Sequence, residues 1–496
     1  MKSRILFFTL LFPYILNSQS ENRTLKLDLT LERTIEIASK KSLASFKSKN
    51  LFLSGYWQFN SFKAGRLPLI SLTTSPLVYN QNYIKRYDSQ NDVDVYKNQQ
   101  SVYSSANLSL SQNVDFTGGS FFIDTELAYL RNIGLSQQEQ FSSVPFRFGY
   151  SQSLFGYNQF KWEKRIEPIH YDRVKKELLY NLEDISNQAT QYFFDIALCQ
   201  TNYELAKQNL MNSDSMYQVG LERYKVGSIS HSDLLTLRLD VINSKADILN
   251  TELNLKESSF RLATYLQLDL ETEFVLVLPK KPLNISISLD DAIRYSNVNN
   301  PKIPELKENI LNAQQNLEKT EKESRFSASL YASMGFNQVA GEFLDAYRKP
   351  LQQDVVSVGL NVPLVDWGVR KGKVNIARNS LNVVNISSKQ AEQSFEQEVR
   401  MAIINFNNQQ ALISLEAESR DIAELAYEKA KQLFLIGKTD VNSLNLAQSR
   451  KIEAEQNYIT SLKNYWLSYF NIRKLTLYDF VENKSISFEF DTIHGF

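Results

Sequence analysis

Two short stretches of this chain resemble each other and set its organisation. The first reads Arg223-Tyr-Lys-Val-Gly227-Ser-Ile-Ser230-His-Ser-Asp233, and the second reads Gln432-Leu-Phe-Leu-Ile-Gly437-Lys-Thr-Asp440. Each has helix-forming sequence on both sides and one glycine at the joint. Glycine adopts the left-handed backbone that ends a helix, and Ser230 or Thr439 can cap the helix that follows. Each stretch therefore predicts a tight turn between two long antiparallel helices.

The composition argues against several classes of protein. The 496 residues include 55 basic and 55 acidic side chains, and a net charge of zero gives no electrostatic footprint for nucleic acid. A single cysteine, Cys199, excludes a disulfide framework. The histidines are scattered without ligand spacing, and the sequence has no phosphate-binding glycine loop and no HExxH motif. We therefore expect no metal, no cofactor and no catalytic site.

The N-terminus has the pattern of an export signal. Lys2 and Arg4 precede an apolar run from residue 5 to residue 16, which is too short to span a bilayer. We predict that residues 1–20 are a signal peptide. Because no later run of about 20 apolar residues follows, a mature protein that enters a membrane must do so as strands.

A helix over residues 27–67 is followed by strand sequence over residues 69–154. Apolar residues at even positions from Ala106 alternate with Ser and Asn, a period that fits a half-buried sheet or a transmembrane barrel. The Ser-, Asn- and Gln-rich polar face favours the barrel. Thr117-Gly118-Gly119 predicts a hairpin turn. Trp162 and Trp367, just past strand ends, fit either anchors at a membrane interface or core packing.

The remaining elements complete a first repeat, residues 21–282, and a second, residues 283–477. The first continues with helices over 160–226 and 229–270 and an apolar linker over 274–282. The second holds a helix over 288–326, interrupted near Asn300-Pro301, strands over 327–364, and helices over 369–436 and 440–475. A short tail, 478–496, follows. The strand region of the first repeat is longer by about one hairpin.

This arrangement predicts a chain that is mainly α with β. A helix of about 67 residues is roughly 100 Å long, and two shorter helices laid end to end would match it, as a closed cylinder of helices requires. From strand end to turn the distances are 227 − 155 = 72 and 437 − 364 = 73 residues. We therefore predict a long antiparallel α-helical barrel joined to an antiparallel sheet, with both turns at one level.

The chain resembles the TolC family of outer-membrane efflux channels. The resemblance rests on the duplicated helix start at Leu289-Asp-Asp-Ala292-Ile293, the strand end Val362-Pro363-Leu364 and the two glycine turns. It implies a homotrimer whose strands close one transmembrane β-barrel in the outer membrane, among its lipids. The helices would form a tunnel through the periplasm, with the glycine turns at its closed tip.

The resemblance also implies roles for residues at that tip. Asp233, Asn442 and Asn445 match positions that constrict the pore in relatives, where Asp often stands in place of the two asparagines. Contact with a periplasmic adaptor, the membrane fusion protein, falls on the turns at Val226, Gly227, Ser228, Ser230, Ile436, Gly437, Lys438 and Thr439.

The functional expectation is a passive export duct of a tripartite efflux or secretion system. An inner-membrane pump, driven by ATP or by protons, supplies the energy, and the helical tip gates the duct. The alternative hypothesis is a non-enzymatic envelope scaffold with long coiled-coil helices and no open lumen. The sequence names neither the exported substrate nor the class of pump.

Overall fold

The computed structural model of the chain describes residues 26–133, 137–279, 285–488 and 490. The predicted signal peptide and residues 280–282 of the predicted linker lie outside this description. The described chain contains two compact units. One comprises the chain through Leu43, Ile185–Leu283 and Ala411–Leu467, and the other comprises Ala44–Asp184, Asn284–Gln410 and the chain from Ser468.

The helices occur in two sets with equal lengths. Each set has helices of 11, 22, 67 and 36 residues, in that order. The long helices start at residues 159 and 369, and the glycines that follow lie at 227 and 437, so both offsets are 210 (369 − 159 and 437 − 227). This equality supports an origin of the chain in two repeats. The first set is α1 (Leu31–Lys41), α2 (Leu43–Ala64), α3 (Gln159–Lys225) and α4 (His231–Leu266); the second is α5 (Leu289–Asn299), α6 (Lys302–Glu323), α7 (Val369–Leu435) and α8 (Val441–Thr476).

The prediction of one helix over residues 27–67 is wrong at both its start and its middle. Strand β1 (Lys26–Thr30) comes first and pairs in parallel with β6 (Glu273–Val277), which overlaps the predicted linker. Thr30 caps α1, accepting a hydrogen bond from the Arg33 N–H at 3.2 Å. The helix then breaks at Ser42, whose backbone is extended.

The predicted interruption at Asn300-Pro301 is present between α5 and α6. Proline disfavours helical backbone in the residue before it, and Asn300 is extended. The Asn300 side-chain amide donates to the Leu475 carbonyl at 2.8 Å, so the break is fixed to the end of α8.

Six strands form one antiparallel sheet in the order β2-β3-β4-β5-β7-β8. The turn at Thr117-Gly118-Gly119 joins β3 to β4 as predicted, and β4 carries ladders with β3 on one side and β5 on the other. The longer strand region of the first repeat therefore adds strands inside the sheet. The bounds are β2 (Leu69–Asp88), β3 (Val93–Asn113), β4 (Ser120–Ile133), β5 (Gln138–Leu154), β7 (Ser327–Ala340) and β8 (Leu351–Asn361).

The two faces of this sheet differ in polarity across all six strands. Residues that pair across neighbouring strands, such as Leu72 with Leu108 and Leu330 with Val358, put an apolar stripe on one face. The other face carries Ser, Asn and Gly residues and one charged pair, in which Arg147 Nε donates to Asp124 Oδ1 at 2.9 Å. Within this single chain the apolar face is largely exposed.

The loop between β7 and β8 folds back onto the sheet through a 3₁₀ turn, Asp345–Tyr347. Ala346 is fully buried there, and its carbonyl accepts a hydrogen bond from the buried Ser143 hydroxyl of β5. Phe343 adds an aromatic contact with Phe141. The strands predicted over 327–364 are therefore two, separated by a folded loop.

The C-terminal tail is held by a buried ion network. The guanidinium of Arg473 bonds both carboxylate oxygens of Glu183 at 3.0 Å and reaches Asp479 at 2.8 Å. Among the described residues of the tail, β9 (Tyr478–Asp479) and β10 (Lys484–Ser485) form a two-residue ladder. The network fixes this ladder to α3.

Candidate functional site at the two glycine turns

Both glycine turns have the same backbone geometry. Gly227 and Gly437 have φ values of +74° and +78°. After α3, the Ser228 N–H bonds the Arg223 carbonyl at 2.8 Å and the Gly227 N–H bonds the Tyr224 carbonyl at 3.0 Å. The second turn repeats both bonds, from Lys438 to Leu433 and from Gly437 to Phe434. This is the Schellman arrangement that ends helices with glycine.

The two helices that follow the turns are capped by different residues. At α4, the Ser230 hydroxyl accepts from the Asp233 N–H at 3.0 Å, while the Asp233 carboxylate accepts from the Ser230 N–H at 3.1 Å. This reciprocal pair is a capping box. The candidate gate residue Asp233 therefore also has a structural role at the start of α4.

At α8 the predicted cap, Thr439, is wrong. Asp440 takes that role, since its carboxylate accepts from the Ser443 N–H at 2.7 Å. That backbone hydrogen bond favours the charged carboxylate and lowers the pKa of Asp440. A carboxylate at a helix N-terminus is also favoured by the helix dipole, which gives Asp an advantage over Thr at this position.

Arg223 joins the two turns. Its Nη1 donates to the Phe434 carbonyl at 3.1 Å, and its guanidinium lies 5.3 Å from the centre of the Phe434 ring. A Cβ added to Gly437 would lie 2.6 Å from Arg223 Nη2. The absence of a side chain at Gly437 therefore makes room for the arginine as well as for the left-handed backbone.

A hydrophobic core lies beside the turns. Met216 and Leu237 from the first pair of helices pack with Tyr427, Phe434 and Leu444 from the second pair. The two helix pairs are thus packed together within one chain. Their turns remain exposed at Val226 and Ile436.

The structure places the three predicted gate residues in different surroundings. Asp233 is in the capping box, Asn442 is exposed in the first turn of α8, and Asn445 donates to Asp240 Oδ2 at 2.9 Å. Sequence reasoning missed Asp240, the partner of Asn445, and Arg223, which joins the two turns. Arg223 begins the first quoted stretch, but Leu433 stands at the matching place in the second, so the repeat gave no sign of it.

Two exposed apolar surfaces lie on the helices near the turns. The first, the α4 stripe, comprises Leu235, Leu239, Ile242, Ala246, Leu249 and Leu253, which alternate at spacings of four and three residues. The second, the α7–α8 groove, is open and has a volume of about 720 Å³. Leu415, Ile422, Ala426, Leu446, Ala447 and Arg450 are among its lining residues.

The groove exists because small residues replace large ones. Ala426 and Ala447 lie 210 positions after Met216 and Leu237 (426 − 216 and 447 − 237). In the first helix pair, Met216 and Leu237 are buried against the second pair. Of their alanine counterparts, Ala447 is half-buried beside this core and Ala426 is exposed, and both line the open groove.

Two further properties bear on function. Within residues 26–133, 137–279, 285–488 and 490, no group of three or more His, Cys, Asp or Glu side chains could hold a metal ion. Over the same described residues, none of the helices combines the length and apolar character needed to cross a membrane.

Comparison with known proteins shows which proteins this chain resembles. Residues 298–476, from the end of α5 to the end of α8, match the family model described as outer membrane efflux protein. The predicted resemblance to TolC-like outer-membrane efflux proteins is confirmed. A search of curated protein sequences gives no match.

Solved structures agree with this family match at the level of the fold. The outer membrane channel CmeC of Campylobacter jejuni is 14% identical and superposes with a TM-score of 0.64, over 93% of this chain and 88% of that one. The outer membrane protein VceC of Vibrio cholerae is 13% identical with a TM-score of 0.62, over 92% and 97%. These likenesses show that the chain has the fold of outer-membrane channel proteins.

The two tryptophans that follow strand ends differ in burial. Trp162 is 4% exposed and its indole N–H donates to Glu318 Oε2 at 3.0 Å, so it packs in the core. Trp367 is 94% exposed, so it does not pack in the core of this chain.

Proposed function

We propose that this chain forms the outer-membrane channel of a tripartite efflux or secretion system, a passive duct from the periplasm to the exterior. The match of residues 298–476 to the outer membrane efflux protein family carries this proposal. A periplasmic adaptor and an inner-membrane pump are the partners such a duct needs. The pump supplies the energy, since the chain itself has no recognisable catalytic motif.

The sheet has the polarity that a membrane-spanning wall needs. Its apolar face exposes Ile70, Leu72, Val356, Val358 and Leu360 to solvent in the single chain. A face of this kind suits lipid, and the opposite Ser- and Asn-rich face suits a water-filled interior. We assign the apolar face to the outer-membrane lipid.

The repeat indicates how copies of the chain associate. Inside one chain, the two helix pairs meet through Asn212 Oδ1 and Lys431 Nζ, 3.0 Å apart. The two helix pairs correspond at an offset of 210 residues. For each contact inside a chain, we can therefore name the two residues that occupy the equivalent positions in the other repeat. Asn212 corresponds to Ile422, and Lys431 corresponds to Leu221.

Among such counterparts, Ile422, Arg450 and Leu235 lie on the two surfaces named above. Ile422 lines the α7–α8 groove. Asp240 and Asn445, which are in contact, correspond to Arg450, in the groove, and Leu235, on the α4 stripe. The groove of one copy therefore receives the first helix pair of the next, at positions where burial of apolar surface stabilises association.

Such a contact joins two different surfaces of neighbouring copies. It generates a closed ring when successive rotations from copy to copy return to the first copy. The TolC resemblance implies three copies. In a trimer, each glycine turn lies beside a turn of the other repeat, and together they gate the duct. Asp233, Asn442 and Asn445 line that gate, and the adaptor contacts the exposed turns from Val226 to Ser230 and from Ile436 to Thr439.

Cross-linking tests the ring. On a Cys199→Ser background, Ile422→Cys combined with Leu221→Cys and a short thiol-to-thiol reagent should give covalent species of up to three chains. The matched control, Asn212→Cys with Lys431→Cys, should link within one chain and leave its mass unchanged. The proposal fails if the control pair links while the Ile422 and Leu221 pair stays monomeric in native membranes.

A further inference from the structure

The outermost strands of the sheet leave two unpaired edges. Among the described strands, β2 pairs only with β3 and β8 pairs only with β7. Unpaired edges with exposed apolar side chains are prone to pair with other chains. Both edges are exposed here, with Leu72 on β2 and Val358 on β8 in the apolar stripe.

The repeat identifies what these edges pair with. Within the chain, β5 leads to α3 and pairs with β7, which follows α6. In the other repeat, β8 takes the place of β5, because it leads to α7. Likewise β2 takes the place of β7, because it follows α2. Gly149 of β5 and Gly359 of β8 are 359 − 149 = 210 residues apart, the same offset as the helices.

The register of β5 on β7 then gives the register of β8 on β2. Tyr150 lies opposite Ala332. Tyr150 corresponds to Leu360 at the offset of 210, and Ala332 corresponds to Thr74 at 332 − 74 = 258, which is also the offset between the starts of β2 and β7 (327 − 69). Leu360 and Thr74 both belong to the apolar face, because they lie opposite Ala328 and Ala106.

The added β4 is part of the wall. It has 14 residue pairs with β3 and 12 with β5. On its apolar side, Ile123 lies between Leu110 and Phe148. On its polar side, Asp124 bonds both Asn107 of β3 and Arg147 of β5. The two faces of the sheet therefore continue through β4 without a break.

We propose that β8 of one copy pairs with β2 of the next, with Leu360 opposite Thr74, so that each copy contributes six strands to a closed wall. This inference rests on the proposed function for the number of copies, and three copies of the six-stranded sheet give 18 strands. Barrels of 16–18 strands enclose an aqueous channel. The outer-membrane section of the duct is therefore a wide pore, lined by Ser and Asn and by one Asp124–Arg147 pair per copy.

Disulfide formation tests this register. On the Cys199→Ser background, Thr74→Cys with Leu360→Cys should shift the protein from one chain to a three-chain species on oxidation, because directly opposed residues lie within disulfide reach. Tyr150→Cys with Ala332→Cys is the matched control for the same register inside one chain. Thr74→Cys with Ser357→Cys, which places one thiol on the polar face, should not link.

The outcomes separate this inference from the proposed function. If the Ile422 and Leu221 cysteines link copies while the Thr74 and Leu360 cysteines do not, the ring stands and the six-stranded contribution is wrong. Preferential linking of Thr74 to Ser357 would overturn the register. If neither inter-copy pair links while both internal controls do, the ring itself fails.

Discussion

The side chain of Arg223, at the end of α3, donates a hydrogen bond to the carbonyl of Phe434, at the end of α7. Its own carbonyl meanwhile accepts the bond that closes the first glycine turn. One residue thus takes part in both turns of the chain. Leu433 at the matching place cannot form such a bond, so the two turns are tied together once per chain.

Replacing Arg223 should loosen the tip. Arg223→Met keeps the aliphatic stem but removes the bond to Phe434, at a cost of about 1 kcal/mol. We expect a lower thermal unfolding temperature and a higher closed-state conductance in planar bilayers. Lys225→Met is the control, because Lys225 is exposed and pairs with Glu222 of the same helix. Equal conductance for wild type and Arg223→Met would show that the bridge does not hold the gate.

The two glycines should respond differently to the same substitution. Gly227→Ala and Gly437→Ala each force an alanine into the left-handed region, which costs roughly 1–2 kcal/mol. The alanine at 227 meets open space, whereas that at 437 meets Arg223. Gly437→Ala should therefore raise the closed-state conductance more than Gly227→Ala does. Adding Arg223→Met should erase this difference, and two additive effects would speak against the contact.

Asp233→Ala tests the predicted gate. It removes half of the capping box, which weakens the start of α4 by about 1 kcal/mol, and it removes a negative charge from the proposed constriction. Closed-state conductance should rise. Asp440→Ala, which deletes the cap of α8, controls for the loss of a helix cap alone. An Asp233→Ala conductance no higher than that of Asp440→Ala would assign Asp233 to capping only.

The sequence predicted the long helices and both turns because their signals are local. A glycine at the left-handed position and a cap three residues later act within one turn of chain. The parallel pairing of Leu27 with Phe274 depends instead on five-residue strands far apart in sequence. Arg223 and Phe434 are separated by 211 positions. No local pattern marks such contacts, and the TolC resemblance does not specify them.

The buried ion network predicts two opposite pH dependences. Burial raises the pKa of Glu183, and the charge of Arg473 only partly offsets it. A carboxyl with a raised folded-state pKa contributes stability at low pH that is lost as the pH rises through that pKa. The unfolding temperature of Glu183→Gln, relative to wild type, should therefore improve as the pH is raised above about 4.5.

Asp479 should behave in the opposite way. Burial opposes its charge, but bonds from the Glu482 N–H and the charge of Arg473 prevail and lower its pKa. The stability it contributes is present above its unfolded-state pKa and is lost as the pH falls. The deficit of Asp479→Asn should thus be greatest near neutral pH and shrink on acidification. The same pH trend for Asp479→Asn and Glu183→Gln would contradict this assignment of charges.

The central claim is that copies of this chain together enclose one continuous water-filled bore. Single-particle electron microscopy of the full chain in lipid nanodiscs tests it most directly. The account predicts a ring of three copies, with a bore that runs through the sheet and the helices and narrows at the glycine turns. A compact monomer, or a rod of helices without a bore, would contradict it.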